Sequence, residues 1–403
     1  MVQEFKTLDR RSSPIRRRET VDLPDALEVL ASKFPSTIRR EARRLMRTSA
    51  RVAEMAEVFP GLLYALAARR GPSAARLNAL SLIENGAQLK TVARALDMPM
   101  WLRRLPPEAF EKLSLEPPNS ETFSRRIAAR LPKASAASAF WLQSVVFAHR
   151  ACHEDFAIWL ASQLIFDDAG DTEKLLSVLS AYAWYSAKPE TDAHNLIVVP
   201  WRSEIAFDTA LCAAKSWFNR MRLVLQLPSG ALTDTWLKPG GALGYMFEPL
   251  LSHADILAEA QGMQNCADQY AERLVREKCR LFSVKRNGQR VATLEIGQHQ
   301  REATVLAINQ LKARHNMAAP AEVWQAAYSW MSSQFALKRL PPMAVSERPW
   351  DQAAWRSLMQ PYRQAHGGAP WLDRDASSLL FGGLDADLCD LARRGGVSSW
   401  LFT

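Results

Sequence analysis

The chain has 403 residues, nearly half of them apolar, and carries a formal net charge of +9. That length supports two or three domains with their own cores, and that apolar content excludes a wholly disordered chain. Cys152, Cys212, Cys266, Cys279 and Cys389 are odd in number and form no Cys-x-x-Cys pair, which excludes a disulfide frame or a zinc module and fits reduced thiols in a cytoplasm.

Residues 1–22 contain Arg10, Arg11, Arg16, Arg17 and Arg18 with few apolar anchors, and are expected to form a mobile basic arm. The next segment adds Arg39, Arg40, Arg43, Arg44 and Arg47, so that residues 1–51 hold +6 of the net charge. Arg40, Arg43, Arg44 and Arg47 recur at spacings of three and four and share one helix face. Together with Arg16, Arg17, Arg18 and Arg39 they are the candidate contacts to a nucleic-acid phosphate backbone, and such contacts weaken with salt. The competing reading is a solvated face paired with Glu41 and other acids.

Residues 23–188 read as an irregular helical domain. Apolar spacings of three and four are broken by Phe59-Pro60-Gly61, Gly71-Pro72, Pro106-Pro107 and Pro117-Pro118, with no fixed repeat. Gln88 to Arg104 fits a helix-turn-helix only loosely, because Pro106 cuts the second element short. Trp101 there reads as a core anchor. The most apolar run, Ala134 to Ala148, is too short to span a bilayer, and no secretory leader is seen, so no membrane insertion is expected.

The composition shifts near Pro189, and residues 189–340 read as an α+β domain. Leu196 to Trp201 is strand-like. A helix is expected from Phe207 to Asn219, then a hairpin of Arg222–Leu227 and Ala231–Leu237 around Pro228-Ser229-Gly230. Gly240, Gly241 and Gly244 mark a turn but lack the order of a dinucleotide loop, so no nucleotide cofactor is expected, and no metal-ligand spacing appears. The last part, 341–403, is a Trp-rich extension expected to pack on the body.

The most informative stretch runs from Gly262 to Asn316. A helix carrying Ile256, Leu257 and Ala260 should end near Gly262. A second should start at Asn265, burying Ala267, Tyr270, Ala271 and Leu274 and placing Cys266 in its first turn, where the helix dipole lowers the pKa of an exposed thiol. Cys279 to Arg286 is strand-like, and Asn287-Gly288 signals a two-residue hairpin turn. That turn sets Val284 opposite Val291, Phe282 opposite Thr293 and Arg280 opposite Glu295. Residues 303–309 alternate well enough for a third strand, although Val305, Ile308 and Leu311 also fit a helix, and Pro320 opens a helix with Val323, Ala327, Trp330 and Met331 on one face.

Asn265-Cys266-x-x-x-Tyr270, then Thr293-x-Glu295, then Gln310 and Asn316 before a Pro-initiated helix, resembles the PcfJ-like family, proteins found with conjugative plasmids and other mobile elements. The resemblance spans about residues 250–335. Ala267 stands where the family has Val, and Ala313 where it has Gly. The resemblance implies a role with mobile-element proteins and DNA, but no defined reaction.

Three readings follow. The first is a nucleic-acid-associated accessory factor. The second is an enzyme in which Cys266 is a nucleophile, Glu295 a proton acceptor or orienting group, and Asn316 converges on the same place, within a polar pocket that adds Asn265, Tyr270, Thr293, Gln310 and His315. The third is a scaffold for other proteins. The bland alternative leaves Cys266 a buried small hydrophobe and Glu295 a cross-strand partner of Arg280. In fold class, the chain is α+β: an irregular all-helical N-terminal region, then a mixed domain whose antiparallel sheet is packed by helices.

Overall fold

The structure, a computed structural model, describes residues 25–110, 117–132, 135–163, 172–227, 232–339 and 351–367. Arg16, Arg17 and Arg18, the rest of the expected arm and most of the expected C-terminal extension lie outside them. The chain divides into two compact units, residues 1–143 and 144–403. The fold is α+β, with an antiparallel sheet confined to the C-terminal unit.

The first unit is helical. Its helices are α1 (Asp25–Ser32), α2 (Ser36–Thr48), α3 (Ala50–Val58), α4 (Pro60–Ala67), α5 (Ser73–Glu84), α6 (Leu89–Ala95) and α7 (Glu121–Ile127), followed by the start of α8 (Ser135–Ala151). All eight residues of α4 are buried, so this helix is the unit's axis. After α6 the chain forms a 3-10 turn over Met100–Arg104 and no second α-helix, so no helix-turn-helix is present there. Trp101 is buried and donates its Nε1–H to the Pro118 carbonyl at 2.9 Å, as a core anchor should.

The second unit continues through α9 (Glu154–Ala161), α10 (Thr172–Ser186), α11 (Asp192–Asn195) and α12 (Phe207–Gln226). The hairpin expected to begin at Arg222 is absent, because α12 runs on to Gln226. Leu211, Ala214, Phe218, Met221 and Leu225 keep one stripe at spacings of three and four, and burial of that stripe overrides the local strand signal. Leu196 to Trp201 forms no strand either. Val198 and Val199 are exposed, and among the described residues no strand pairs with this segment.

Five strands follow: β1 (Gly240–Ala242), β2 (Tyr245–Pro249), β3 (Cys279–Arg286), β4 (Gln289–Gln298) and β5 (Leu306–Lys312), ordered β1-β2-β3-β4-β5 and antiparallel throughout. The glycines expected to mark a turn do so within a hairpin: Leu243 and Gly244, both with positive φ, close β1 onto β2. Helices α13 (His253–Met263) and α14 (Ala271–Val275) are inserted between β2 and β3. Helix α15 (Ala321–Ser332) follows β5, and α16 (Gln352–Ala365) packs through Trp355, Met359 and Tyr362, with the Tyr185 hydroxyl donating to the Leu358 carbonyl at 2.6 Å.

Both faces of the sheet are covered. On one face Phe247, Phe282, Val284, Ala292, Leu294 and Ile296 pack against α15. Trp330 stacks on Phe247 with ring centroids 4.5 Å apart and meets Phe282 edge-on at 5.1 Å. On the other, Cys279 and Leu281 join Leu223, Ile256, Ala260 and Leu274 of α12, α13 and α14.

The expected hairpin register is corrected by one residue. Arg286 pairs Gln289 and Lys285 pairs Arg290, but Val284 then pairs Ala292, so Val291 is an extra residue at a β-bulge. Beyond the bulge Phe282 faces Leu294, Leu281 faces Glu295 and Arg280 faces Ile296. One inserted residue moves every later β4 side chain to the other face. Thr293 and Glu295 therefore point toward α13 and α14. Arg280, on the opposite face, stacks its guanidinium on the Trp236 ring at 4.7 Å and donates its Nε–H to the Asp234 carbonyl at 2.7 Å.

Candidate functional site

Helix α13 begins with a capping box in which the Ser252 hydroxyl accepts from the Asp255 amide and the Asp255 carboxylate accepts from the Ser252 amide. It ends at Gln264, which adopts the left-handed conformation (φ 49°) and turns the chain back over the sheet. The continuous helix expected from Asn265 is replaced by a three-residue 3-10 turn, Ala267–Gln269, and the short α14. Asn265 does act as a local cap, since its Oδ1 accepts the Ala267 amide at 3.1 Å. Its Nδ2 donates to Thr293 Oγ1 at 2.8 Å, and that hydroxyl donates to Glu259 Oε1 at 2.7 Å. Glu259 is fully buried and accepts Arg290 Nε at 2.8 Å, so the chain of contacts ends in an ion pair.

Glu295 is the centre of a second network. Its side chain is 2% exposed. Tyr270 donates its hydroxyl to Oε2 at 2.8 Å; Arg273 binds both carboxylate oxygens, with Nη1 3.1 Å from Oε2; and Asn309 Nδ2 reaches Oε1 at 3.3 Å. The Arg273 guanidinium also lies 5.1 Å from the Tyr270 ring. Bidentate Arg–carboxylate pairing and two further donors satisfy this buried charge. Asn309 is the bulged residue of β5, since Glu295 pairs Gln310 and Ile296 pairs Ile308. Gly297 leaves room for it: a Cβ at that position would stand 2.0 Å from Asn309 Nδ2.

The third part is the loop after β5. Arg314–Asn316 form a 3-10 turn in which His315 (φ 58°) and Asn316 (φ 57°) are left-handed. Asn316 Oδ1 accepts the Cys266 thiol at 3.5 Å, across fifty residues of sequence. Burial pushes the Cys266 thiol up, and the Asp268 charge adds to the shift. The expected lowering by a helix dipole does not occur, because a three-residue 3-10 turn carries little dipole. Burial likewise pushes the Tyr270 hydroxyl well up, reinforced by the adjacent Glu295 carboxylate.

These parts enclose a notch of about 20 Å³, room for one water. Asn265, Cys266, Tyr270, Thr293, Glu295, Gln310 and Asn316 all line it. His315, expected among them, does not; its backbone turn carries it away from the lining, and the notch has no histidine. Asn265, Cys266 and Asn316 also border a larger groove of about 570 Å³. Sequence reasoning missed Glu259, Arg273, Asn309 and Lys312, the last of which lines the notch. Glu259 did leave a signal: it is a carboxylate within the buried stripe of Ile256, Ala260 and Met263. Among the described residues no group of three or more His, Cys, Asp or Glu is placed to hold a metal ion.

The candidate phosphate-contacting arginines that are described lie on α2. Arg43 and Arg47 both pair with Glu28, at 2.8 and 3.2 Å, and Arg44 pairs with Glu41 at 2.7 Å. Arg39 donates to the Phe34 carbonyl at 3.0 Å, and Arg40 is exposed. The stripe is thus partly neutralised within its own unit. No helix among the described residues is long and apolar enough to cross a membrane.

Comparison with known protein families, with curated proteins and with solved structures finds no match to this chain.

Proposed function

We propose that the chain is a PcfJ-like accessory factor that associates with nucleic acid of a mobile element, and that the Cys266 notch recognises a ligand without reacting with it. One observation carries the recognition reading. The residues of the resemblance, scattered from Asn265 to Asn316, line one notch in which every strong reactant is already engaged. The Glu295 carboxylate already accepts hydrogen bonds from Arg273, Tyr270 and Asn309. The thiol is held in its neutral form, and no histidine lines the notch to activate it. What remains on offer is the Gln310 carboxamide and the Asn316 Nδ2, because the Tyr270 and Thr293 hydroxyls, both ends of Asn265 and the thiol proton are engaged already.

Nucleic acid as the partner is supported by the net charge of +9 and its concentration in residues 1–51. The test is binding of labelled DNA by the full chain at salt concentrations between about 50 and 200 mM. Binding that falls steeply with salt, and weakens when Arg16, Arg17, Arg18 and Arg40 are changed to Gln, is the expected result. Cys266→Ser should leave that binding unchanged. Binding that is absent or independent of salt overturns the nucleic-acid reading. A Cys266 adduct formed with a substrate and lost in Cys266→Ser overturns the recognition reading in favour of covalent catalysis.

A further inference from the structure

The groove beside Cys266 has a composition that sets the chemistry of its ligand. Six of its thirteen lining residues are carboxamides: Asn195, Gln261, Gln264, Asn265, Gln269 and Asn316. Its only charges, Arg220 and Asp268, are paired to each other at 2.8 Å. Burial even holds the Asp268 carboxyl above its usual range, against the pull of Arg220. The side chains of Asn195, Gln261 and Gln269 are exposed and make no hydrogen bond among the described residues. Ile197 and Val198 supply an apolar wall, and Val198 is 57% exposed.

A ligand complementary to this groove is uncharged, planar on one side and edged with alternating donors and acceptors. Carboxamides offer one donor group and one acceptor on the same plane, which is the pattern that pairs with a base edge. The groove's volume is that of a small-molecule site, ample for one unstacked base. Phosphate is not what the groove itself would hold, since its one cation is already paired. Cations stand next to it instead. Arg314 donates to Gln264 Oε1 at 3.3 Å, and Lys312 lines the adjoining notch. An extended peptide fits less well, because the middle of α12, the end of α13, the turn at 195–198 and a 3-10 turn build these walls and offer no open strand edge to pair with a peptide backbone.

We infer that this groove binds a nucleobase by its hydrogen-bonding edge, with one face of the base on Ile197 and Val198. The inference rests on the nucleic-acid reading where the base belongs to a single strand; a free nucleoside offers the same chemistry.

The experiment uses the full chain and a fluorescence-anisotropy titration with a single-stranded oligonucleotide, an abasic strand of equal length, a nucleoside competitor and an uncharged peptide competitor. The base-bearing strand should bind more tightly than the abasic one. The variant Gln261→Ala/Gln269→Ala, changed at two exposed positions, should lose that preference by about tenfold or more while binding the abasic strand as before. Competition by the nucleoside assigns the site to free nucleosides as well; competition by strands alone assigns it to strands, and both support the inference. Base-bearing and abasic strands bound alike, a variant that keeps the preference, or displacement by the peptide each overturn it. Equal binding of both strands leaves the nucleic-acid reading standing while the groove inference falls. Nucleoside binding without strand binding does the reverse.

Discussion

Arg273→Ala tests the central network most severely. The substitution removes the one cation that, among the described residues, is bonded to a carboxylate whose side chain is 2% exposed. Two neutral donors remain, Tyr270 at 2.8 Å and Asn309 at 3.3 Å. Breaking a buried ion pair from one side costs about 3–5 kcal/mol. The Arg273 side chain is itself 41% exposed, so water can enter where it stood, which sets the expectation at about 2–3 kcal/mol. Glu295→Gln in the Arg273→Ala background removes the stranded charge and should recover at least half of that loss. Urea unfolding of the wild type, both single variants and the double variant gives the coupling as a cycle. A loss below about 0.5 kcal/mol for Arg273→Ala, or no recovery in the double variant, would refute the claim that Arg273 holds Glu295 as a buried charge.

Gly297→Ala places a methyl where Asn309 lies and should break the Asn309–Glu295 hydrogen bond, costing about 1–2 kcal/mol by the same unfolding measurement. Trp330→Ala removes the ring that fills the sheet's other face and should cost about 3–5 kcal/mol, read as a lower urea midpoint. Alkylation of Cys266 at neutral pH, followed by peptide mass spectrometry, should run slower than for an unfolded cysteine peptide, because burial keeps the thiol neutral. Burial, with Glu295 adding, pushes the Cys279 thiol up to about 12. A pKa raised on folding gives stability that is full below the unfolded value of about 8.5 and is lost as pH rises toward the folded one. Cys279→Ala should flatten the fall in stability over that window, seen as a smaller loss of urea midpoint.

Sequence pattern conveyed the parts of the site better than their connections. Asn265, Cys266, Tyr270, Thr293, Glu295, Gln310 and Asn316 were picked out by the resemblance to the PcfJ-like family, and all of them line the notch. Their partners were not legible. The Arg280–Glu295 pairing failed because a bulge at Val291 leaves no mark in hydrophobic alternation. His315 failed because two consecutive left-handed residues send it away from the lining; Asn316 is a residue type that tolerates that conformation, but its presence does not say that His315 adopts it too. The helix expected at Cys266 shrank to a 3-10 turn because Asn265 is tied to Thr293 on the sheet, a tertiary contact that no local propensity contains. In α12 the error ran the other way: one continuing stripe, visible from Leu211 to Leu225, outweighed a short strand-like run.

Hydrogen–deuterium exchange with and without a single-stranded oligonucleotide tests most directly whether the Cys266 notch and its groove form a recognition site. Slower exchange in residues 261–270 and 311–317 on binding is the predicted result. An oligonucleotide that binds while those segments exchange unchanged would contradict it.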